Sequence, residues 1–180
     1  KRVVDGLAMG PQQVAAGDLD GDGDLDILST NFNEDGVFWY QNNGATWTKQ
    51  FLSTMAGWGV HVADVDGDGD LDGIAGDRWD NTPEHKGVEW YDNDGGSPPT
   101  FTVRRVSAGF VEATSVHAAD VDGDGDTDIL AVDVFQDSVY WFENSGAHPP
   151  AWTQRTLTTA TDDPFAVFPA DLDDDCISHA

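Results

Sequence analysis

Positive charge is scarce in this chain: Lys and Arg number 8 against 34 Asp and Glu, for a formal net charge of −26. A surface that negative repels phosphate backbones and anionic lipid, which excludes nucleic acid and membrane surfaces as partners. Cysteine is nearly absent, and Cys176 alone can form neither an internal disulfide nor a cysteine-based zinc cluster. No apolar run approaches the roughly 20 residues of a membrane-spanning helix, and Lys1-Arg2-Val3-Val4 lacks the shape of a signal peptide. Helical periodicity is missing too. So are a nucleophile elbow, a catalytic Cys–His setting and a zinc-hydrolase motif, so no enzyme is expected. What is present is a globular composition, 39% hydrophobic and 11% aromatic, able to fold around a core as one domain or a few small repeats.

Self-comparison reveals the organising feature. Asp18-Leu19-Asp20-Gly21-Asp22-Gly23-Asp24-Leu25-Asp26 returns as Asp64-Val65-Asp66-Gly67-Asp68-Gly69-Asp70-Leu71-Asp72 and as Asp120-Val121-Asp122-Gly123-Asp124-Gly125-Asp126-Thr127-Asp128. A fourth start, Asp171-Leu172-Asp173-Asp174-Asp175, follows. The starts at 18, 64, 120 and 171 step by 46, 56 and 51 residues, a propeller-blade period. A second motif keeps time with the first: Val37-Phe38-Trp39-Tyr40-Gln41-Asn42-Asn43-Gly44, Val88-Glu89-Trp90-Tyr91-Asp92-Asn93-Asp94-Gly95 and Val139-Tyr140-Trp141-Phe142-Glu143-Asn144-Ser145-Gly146. Each is a β-branched and aromatic run ended by a turn, a strand entering a hairpin.

The segments that follow, from Trp47, Phe101 and Trp152, alternate apolar and polar residues as half-exposed outer strands do, and they carry Lys49, Arg104, Arg105 and Arg155. Short small-residue strands precede each acidic loop. The expected fold is therefore all-β, in β-propeller blades of four antiparallel strands, with the acidic loop between the first and second. The expected organisation is an outer strand of a preceding blade over residues 1–10, blades over 11–56, 57–109 and 110–160, and the start of a degenerate or truncated blade over 161–180.

In each nonapeptide, carboxylates stand at positions 1, 3, 5 and 9, with a backbone carbonyl available at 7 and glycine at 6 for a sharp turn. Those are hard-oxygen ligand positions of a calcium loop. The sets are Asp18, Asp20, Asp22 and Asp26 with the Asp24 carbonyl; Asp64, Asp66, Asp68 and Asp72 with that of Asp70; and Asp120, Asp122, Asp124 and Asp128 with that of Asp126. Five aspartates within nine residues repel one another unless a divalent cation sits among them, so three Ca²⁺ ions are expected. A solvated acidic turn is the bland alternative, and Mg²⁺ the weaker cation for so crowded a cage. In the fourth loop Asp174 and Cys176 replace the glycines and His179 stands at position 9, so weak or no binding is expected there.

These residues resemble the FG-GAP/VCBS family of calcium-binding β-propeller repeats, the blade type of integrin α-subunit heads and some fungal lectins. The resemblance covers nearly the whole chain. It implies an extracellular or cell-surface setting and a role in adhesion, in ligand or glycan recognition, or as a non-catalytic accessory module of a secreted carbohydrate-active enzyme. A structural spacer of a surface protein is a further reading. Propellers close with about four to eight blades. Three complete repeats therefore point to a fragment of a longer chain, or to two copies joining as a homodimer.

Trp39, Trp90 and Trp141 are expected in the core between blades rather than under a sugar. His61 and His117 share one register three residues before a loop, where Ala15 and Phe168 stand in the other repeats, and are expected to line the channel wall. Ligand recognition, of a glycan or a surface protein, is expected at the end opposite the acidic loops. Its candidates are Phe32, Trp58, Phe135 and the insertion residues Arg78, Trp79, Asp80 and His85, which set aromatic rings among hydrogen-bonding groups.

Overall fold

A computed structural model describes residues 3–55, 57–77, 87–107 and 112–170. The described residues build three sheets, each of four antiparallel strands in chain order. The first holds β1 (Pro11–Gly17), β2 (Asp26–Asn31), β3 (Gly36–Asn42) and β4 (Trp47–Ser53). The second holds β5 (Gly57–Ala63), β6 (Asp72–Asp77), β7 (Val88–Asn93) and β8 (Phe101–Arg105). The third holds β9 (Ala113–Ala119), β10 (Asp128–Asp133), β11 (Ser138–Asn144) and β12 (Trp152–Thr158). This is the all-β architecture of propeller blades, with the sheets not closed into a ring.

Burial follows position in the blade. The second strands β6 and β10 are buried along their whole length, and their residues are correspondingly small or apolar: Gly73-Ile74-Ala75-Gly76 and Ile129-Leu130-Ala131-Val132. The fourth strands are largely exposed and carry the basic side chains. The first strands lie beside one another in the order β1, β5, β9. Small residues permit that approach. A Cβ on Gly59 would meet the Val116 backbone nitrogen at 2.8 Å, so only glycine admits β9 so close to β5.

The apolar core lies between sheets. Leu19, Leu28, Val37 and Trp39 of the first sheet pack on Val60, Ala75 and Tyr91 of the second. The same positions one repeat on, Val65, Ile74, Val88 and Trp90, pack on Val116, Ala131 and Phe142 of the third. Whereas Trp141 is half-buried and packs at the margin of the cluster of Leu130, Val132 and Val167, Trp39 and Trp90 are fully buried core residues, as expected. Each such side chain contributes roughly 1.5–3 kcal/mol, so two repeats of one packing plan supply the cohesion between blades.

Residues 3–10 form no strand. They lie over the first sheet, where the Lys49 ammonium reaches Asp5 at 3.1 Å and Glu34 at 2.9 Å and the Tyr40 hydroxyl donates to Asp5. Two acids paired with one cation hold this segment better than strand pairing would in a stretch containing Gly6 and Gly10. Residues 161–170 cross the inner edge of the third sheet, with Val167 buried against Leu130 and Val132.

An asparagine stitches the blades together. Asn93 Nδ2 donates to the Leu71 carbonyl of its own blade at 2.9 Å and to the Leu19 carbonyl of the preceding blade at 2.8 Å. Asn144 repeats this with Thr127 and, across the blade boundary, Val65, both at 3.0 Å. The Asn42 side-chain amide donates only within its own blade among the described residues, to the Leu25 carbonyl at 3.1 Å. Losing a buried amide that satisfies two carbonyls costs roughly 1–3 kcal/mol. Asn93→Ala and Asn144→Ala should therefore each lower urea-unfolding stability by about that amount. Asn42→Ala should cost visibly less in the same measurement.

Candidate metal centres

The three acidic nonapeptides connect β1 to β2, β5 to β6 and β9 to β10, all at one end of the blades. Each turn is made by two glycines in the left-handed region: Gly21 and Gly23 (φ 69° and 93°), Gly67 and Gly69 (75° and 98°), Gly123 and Gly125 (77° and 94°). Nothing lies within 4 Å of where a Cβ would stand on Gly21, Gly23, Gly67, Gly69 or Gly125, so glycine is required by backbone conformation rather than by space. The first aspartate organises the turn. Its Oδ2 accepts the N–H of Gly23, Gly69 or Gly125 at 2.9, 3.1 and 3.0 Å.

The ninth residue is the most unusual. Asp26, Asp72 and Asp128 are buried, and each ties three pieces of its blade. Oδ2 accepts the N–H of the second loop residue, Leu19, Val65 or Val121, and Oδ1 accepts the N–H of Asn42, Asn93 or Asn144 at 2.7–2.8 Å. Trp39 Nε1 adds a bond to Asp26 at 3.0 Å. Burial raises all three carboxyls above the usual carboxylate range, Asp72 to about 7, against the pull of these N–H donors.

Carboxylate oxygens converge at each loop. Those of Asp18, Asp20 and Asp22, of Asp64, Asp66 and Asp72, and of Asp120, Asp122 and Asp128 each lie within 4.8 Å of one another. Asp26, Asp68 and Asp124 are not members of these groups. Asp68 and Asp124 are exposed, and their Oδ1 atoms instead accept the N–H of Asp70 and Asp126 at 2.9 Å. The side chains at position 7 also point elsewhere, since a Cβ on the hairpin glycines Gly95 or Gly146 would strike Asp70 or Asp126.

Whether a cation suits the second loop can be judged from Asp66: its Oδ1 is buried and has no hydrogen-bond partner. An orphaned anionic oxygen beside two further carboxylates is the environment a hard divalent ion relieves. The donor set is oxygen alone, which fits Ca²⁺ or Mg²⁺ and does not fit a metal that prefers nitrogen or sulfur.

The turn signal of the hairpins concealed two groups that matter here. Asn42, Asn93 and Asn144 were legible only as turn formers, yet their constant place three residues after Trp, where the next residue varies, was the available clue. The other group is Gln41, Asp92 and Glu143, which share one position of the hairpin strand; from it Gln41 Nε2 donates to Asp20 Oδ2 at 2.6 Å.

At the opposite end, among the described residues, Trp58 does not share one group with Phe32 and Phe135. Trp58 stacks obliquely on Phe165 with 5.9 Å between ring centroids, beside a hollow of about 290 Å³ lined by Gln12, Gln13, Thr114, Ser115 and Phe168. Phe32 and Phe135 are exposed and do not line it. Arg78, Trp79, Asp80 and His85 lie outside the described residues, as does the loop starting at Asp171.

Along the inner strands, His61 and His117 stack with 3.9 Å between centroids, and Phe168 meets His117 edge-on at 5.5 Å. Burial, and secondarily the neighbouring His117, push His61 down to about 4, leaving it uncharged at neutral pH.

No helix among the described residues is long and apolar enough to cross a membrane. No curated protein matches the chain. A family model described as FG-GAP-like repeat matches residues 18–75 and 78–131; the first match begins at the first acidic loop and runs into β6, and the second takes in β7, β8, β9 and the third acidic loop. The repeated acidic loop, the four-stranded sheets and this match over most of the chain agree, and the protein belongs to the FG-GAP-like repeat family.

Proposed function

We propose that this chain is a calcium-stabilised recognition module of an extracellular or cell-surface protein, in which cations lock the blades at one end while the other end meets a ligand. The observation that carries the calcium part is the convergence of three carboxylates at each of the three repeated loops, with Asp66 Oδ1 left buried and unpartnered. Asp18, Asp20 and Asp22 in the first loop, Asp64, Asp66 and Asp72 in the second, and Asp120, Asp122 and Asp128 in the third would hold the ion. Bound there, it neutralises charge that otherwise opposes the compact state of a chain at −26. Because Asp72 and Asp128 also anchor the hairpin of their blade, ion binding and blade packing are coupled. Millimolar extracellular calcium suits sites of this exposure.

The hollow beside Trp58 supports the recognition part. An aromatic ring flanked by the amides of Gln12 and Gln13 and the hydroxyls of Thr114 and Ser115 offers a stacking face with neutral hydrogen-bonding groups, a combination suited to a neutral sugar. The negative surface disfavours sulfated or uronate-rich glycans.

Three outcomes test this reading. Removing calcium with a chelator should lower Tm and readdition should restore it, each site contributing roughly 1.4 kcal/mol when the ion stands at ten times its Kd. Asp66→Ala and Asp122→Ala should each remove one bound ion by equilibrium dialysis; a melting curve indifferent to calcium would refute the cation reading.

The calcium effect should also grow with pH. Asp72 has a folded-state pKa raised to about 7 from 3.8, so its stabilisation is present below pH 3.8 and lost as pH rises toward 7 in the metal-free protein. A cation offsets that loss. His61 acts oppositely, since its depressed pKa removes stability as pH falls from 6.5 toward 4, but it does so with or without calcium. The difference in Tm between calcium-bound and metal-free protein should therefore widen from pH 5 to pH 7.5.

Finally, neutral oligosaccharides titrated against Trp fluorescence should give a saturable change that Trp58→Ala abolishes. Equal binding by Trp58→Ala would move recognition away from this hollow.

A further inference from the structure

The three loops are not equivalent, and the difference comes from the neighbouring hairpin strand. Two residues after each blade tryptophan stand Gln41, Asp92 and Glu143. Gln41 Nε2 donates to Asp20 Oδ2 at 2.6 Å, so in the first loop the position-3 carboxylate is satisfied by a neutral amide. In the second loop the corresponding position holds the acid Asp92, and the position-3 carboxylate, Asp66, keeps its buried unpartnered oxygen. Asp92 and Glu143 stand at the hairpin-strand position from which Gln41 reaches the first loop, each one residue beyond the pairs Tyr91 with Gly73 and Phe142 with Ile129 as Gln41 is beyond Tyr40 with Ile27.

An acid set against an acid needs a reason to stay there, and the outer strand supplies one. Arg104 pairs across the strands with Trp90 and donates Nε to Asp92 Oδ2 at 2.6 Å. Arg155 pairs with Trp141 and donates Nε to Glu143 Oε2 at 2.8 Å. Both guanidinium groups lie over the tryptophan ring, at 5.5 and 5.2 Å from its centroid. In the first blade the residue opposite Trp39 is Gln50. Acid and arginine thus occur together in two blades, and amide and amide in the third. The arginine ties the carboxylate to the outer strand rather than leaving it free in solvent.

Resting on the calcium reading above, we infer that Asp92 and Glu143 are auxiliary ligands, direct or through water, of the ions at the second and third loops, and that Gln41 leaves the first loop the weakest site. Calcium affinity is tuned by the charge count of the ligand set. The first loop faces an amide where the other two have a carboxylate at the same position of the hairpin strand, and its Asp20 is already engaged by that amide.

The amides of Gly23, Gly69 and Gly125 each donate to the first aspartate of their own loop, so each reports one site in an NMR calcium titration of the full chain. Gly69 and Gly125 should saturate at calcium concentrations about tenfold below Gly23, the size of effect typical of outer-shell ligand changes. Asp92→Asn and Glu143→Gln should each weaken only their own loop by about tenfold, and Gln41→Glu should tighten only the first. The gain at the first loop guards against a loss caused by misfolding. If the three glycines move together in the parent and the substitutions leave the midpoints unchanged, the grading is wrong while the calcium reading stands. If no glycine responds to calcium in the parent, both fall.

Discussion

A buried carboxylate at the start of each central strand is the constraint around which the blades are built. Asp26, Asp72 and Asp128 are removed from water, where an uncompensated charge is very costly, so each must be met by donors. The donors come from the loop before it and the hairpin beyond it, and in the first blade from the tryptophan indole. Meeting that one requirement fixes the loop, the hairpin and the tryptophan relative to each other. The acidic loop therefore has a defined shape instead of splaying under its own repulsion, and its remaining carboxylates gather on one side.

The same hairpin carries the link between blades. Asn93 and Asn144 give their backbone N–H to the buried carboxylate of their own blade and their side-chain amide to the loop of the blade before. Whatever stiffens one loop, a cation included, is thus transmitted to the adjoining blade through hydrogen bonds as well as through the apolar contacts of Leu19 or Val65. A repeat array in which each unit contacts only its neighbours depends on such links, since no distant contact can substitute.

Three copies of one device within a single chain make an internal comparison. Positions that never change, the first and ninth aspartates, the two loop glycines and the hairpin asparagine, are those whose role is conformational or electrostatic in every blade. Positions that vary do so in concert: where the hairpin strand carries an acid the outer strand carries an arginine bonded to it, and where it carries Gln41 the outer strand carries Gln50. Along the inner strands the register that holds His61, His117 and Phe168 forms a stack of rings, in which an uncharged imidazole packs as an aromatic would.

Much of this was legible in the sequence. Strand alternation, the blade period and the loop aspartates depend on local spacing and residue type, and the burial of Trp39 and Trp90 follows from an aromatic in the middle of a repeated strand. Other features could not be read there. That Asp72 is buried while Asp68 is exposed depends on where β6 begins beneath the hairpin, and the asparagine latch depends on a carbonyl 74 residues away in the preceding blade. Residues 1–10 read as an outer strand of a preceding blade, yet residues 3–10 form no strand and Asp5 pairs with Lys49 of the first sheet. The recognition residues read as one face, but only packing determines which rings meet, and it brings Trp58 to Phe165 rather than to Phe32 or Phe135. The sequence by itself determined the repeat, the strand type and the acidic chemistry, because these rest on neighbours within a few residues. Only the tertiary structure decided which carboxylates converge and which blade each amide reaches, because burial and long-range hydrogen bonds exist only once the sheets have packed.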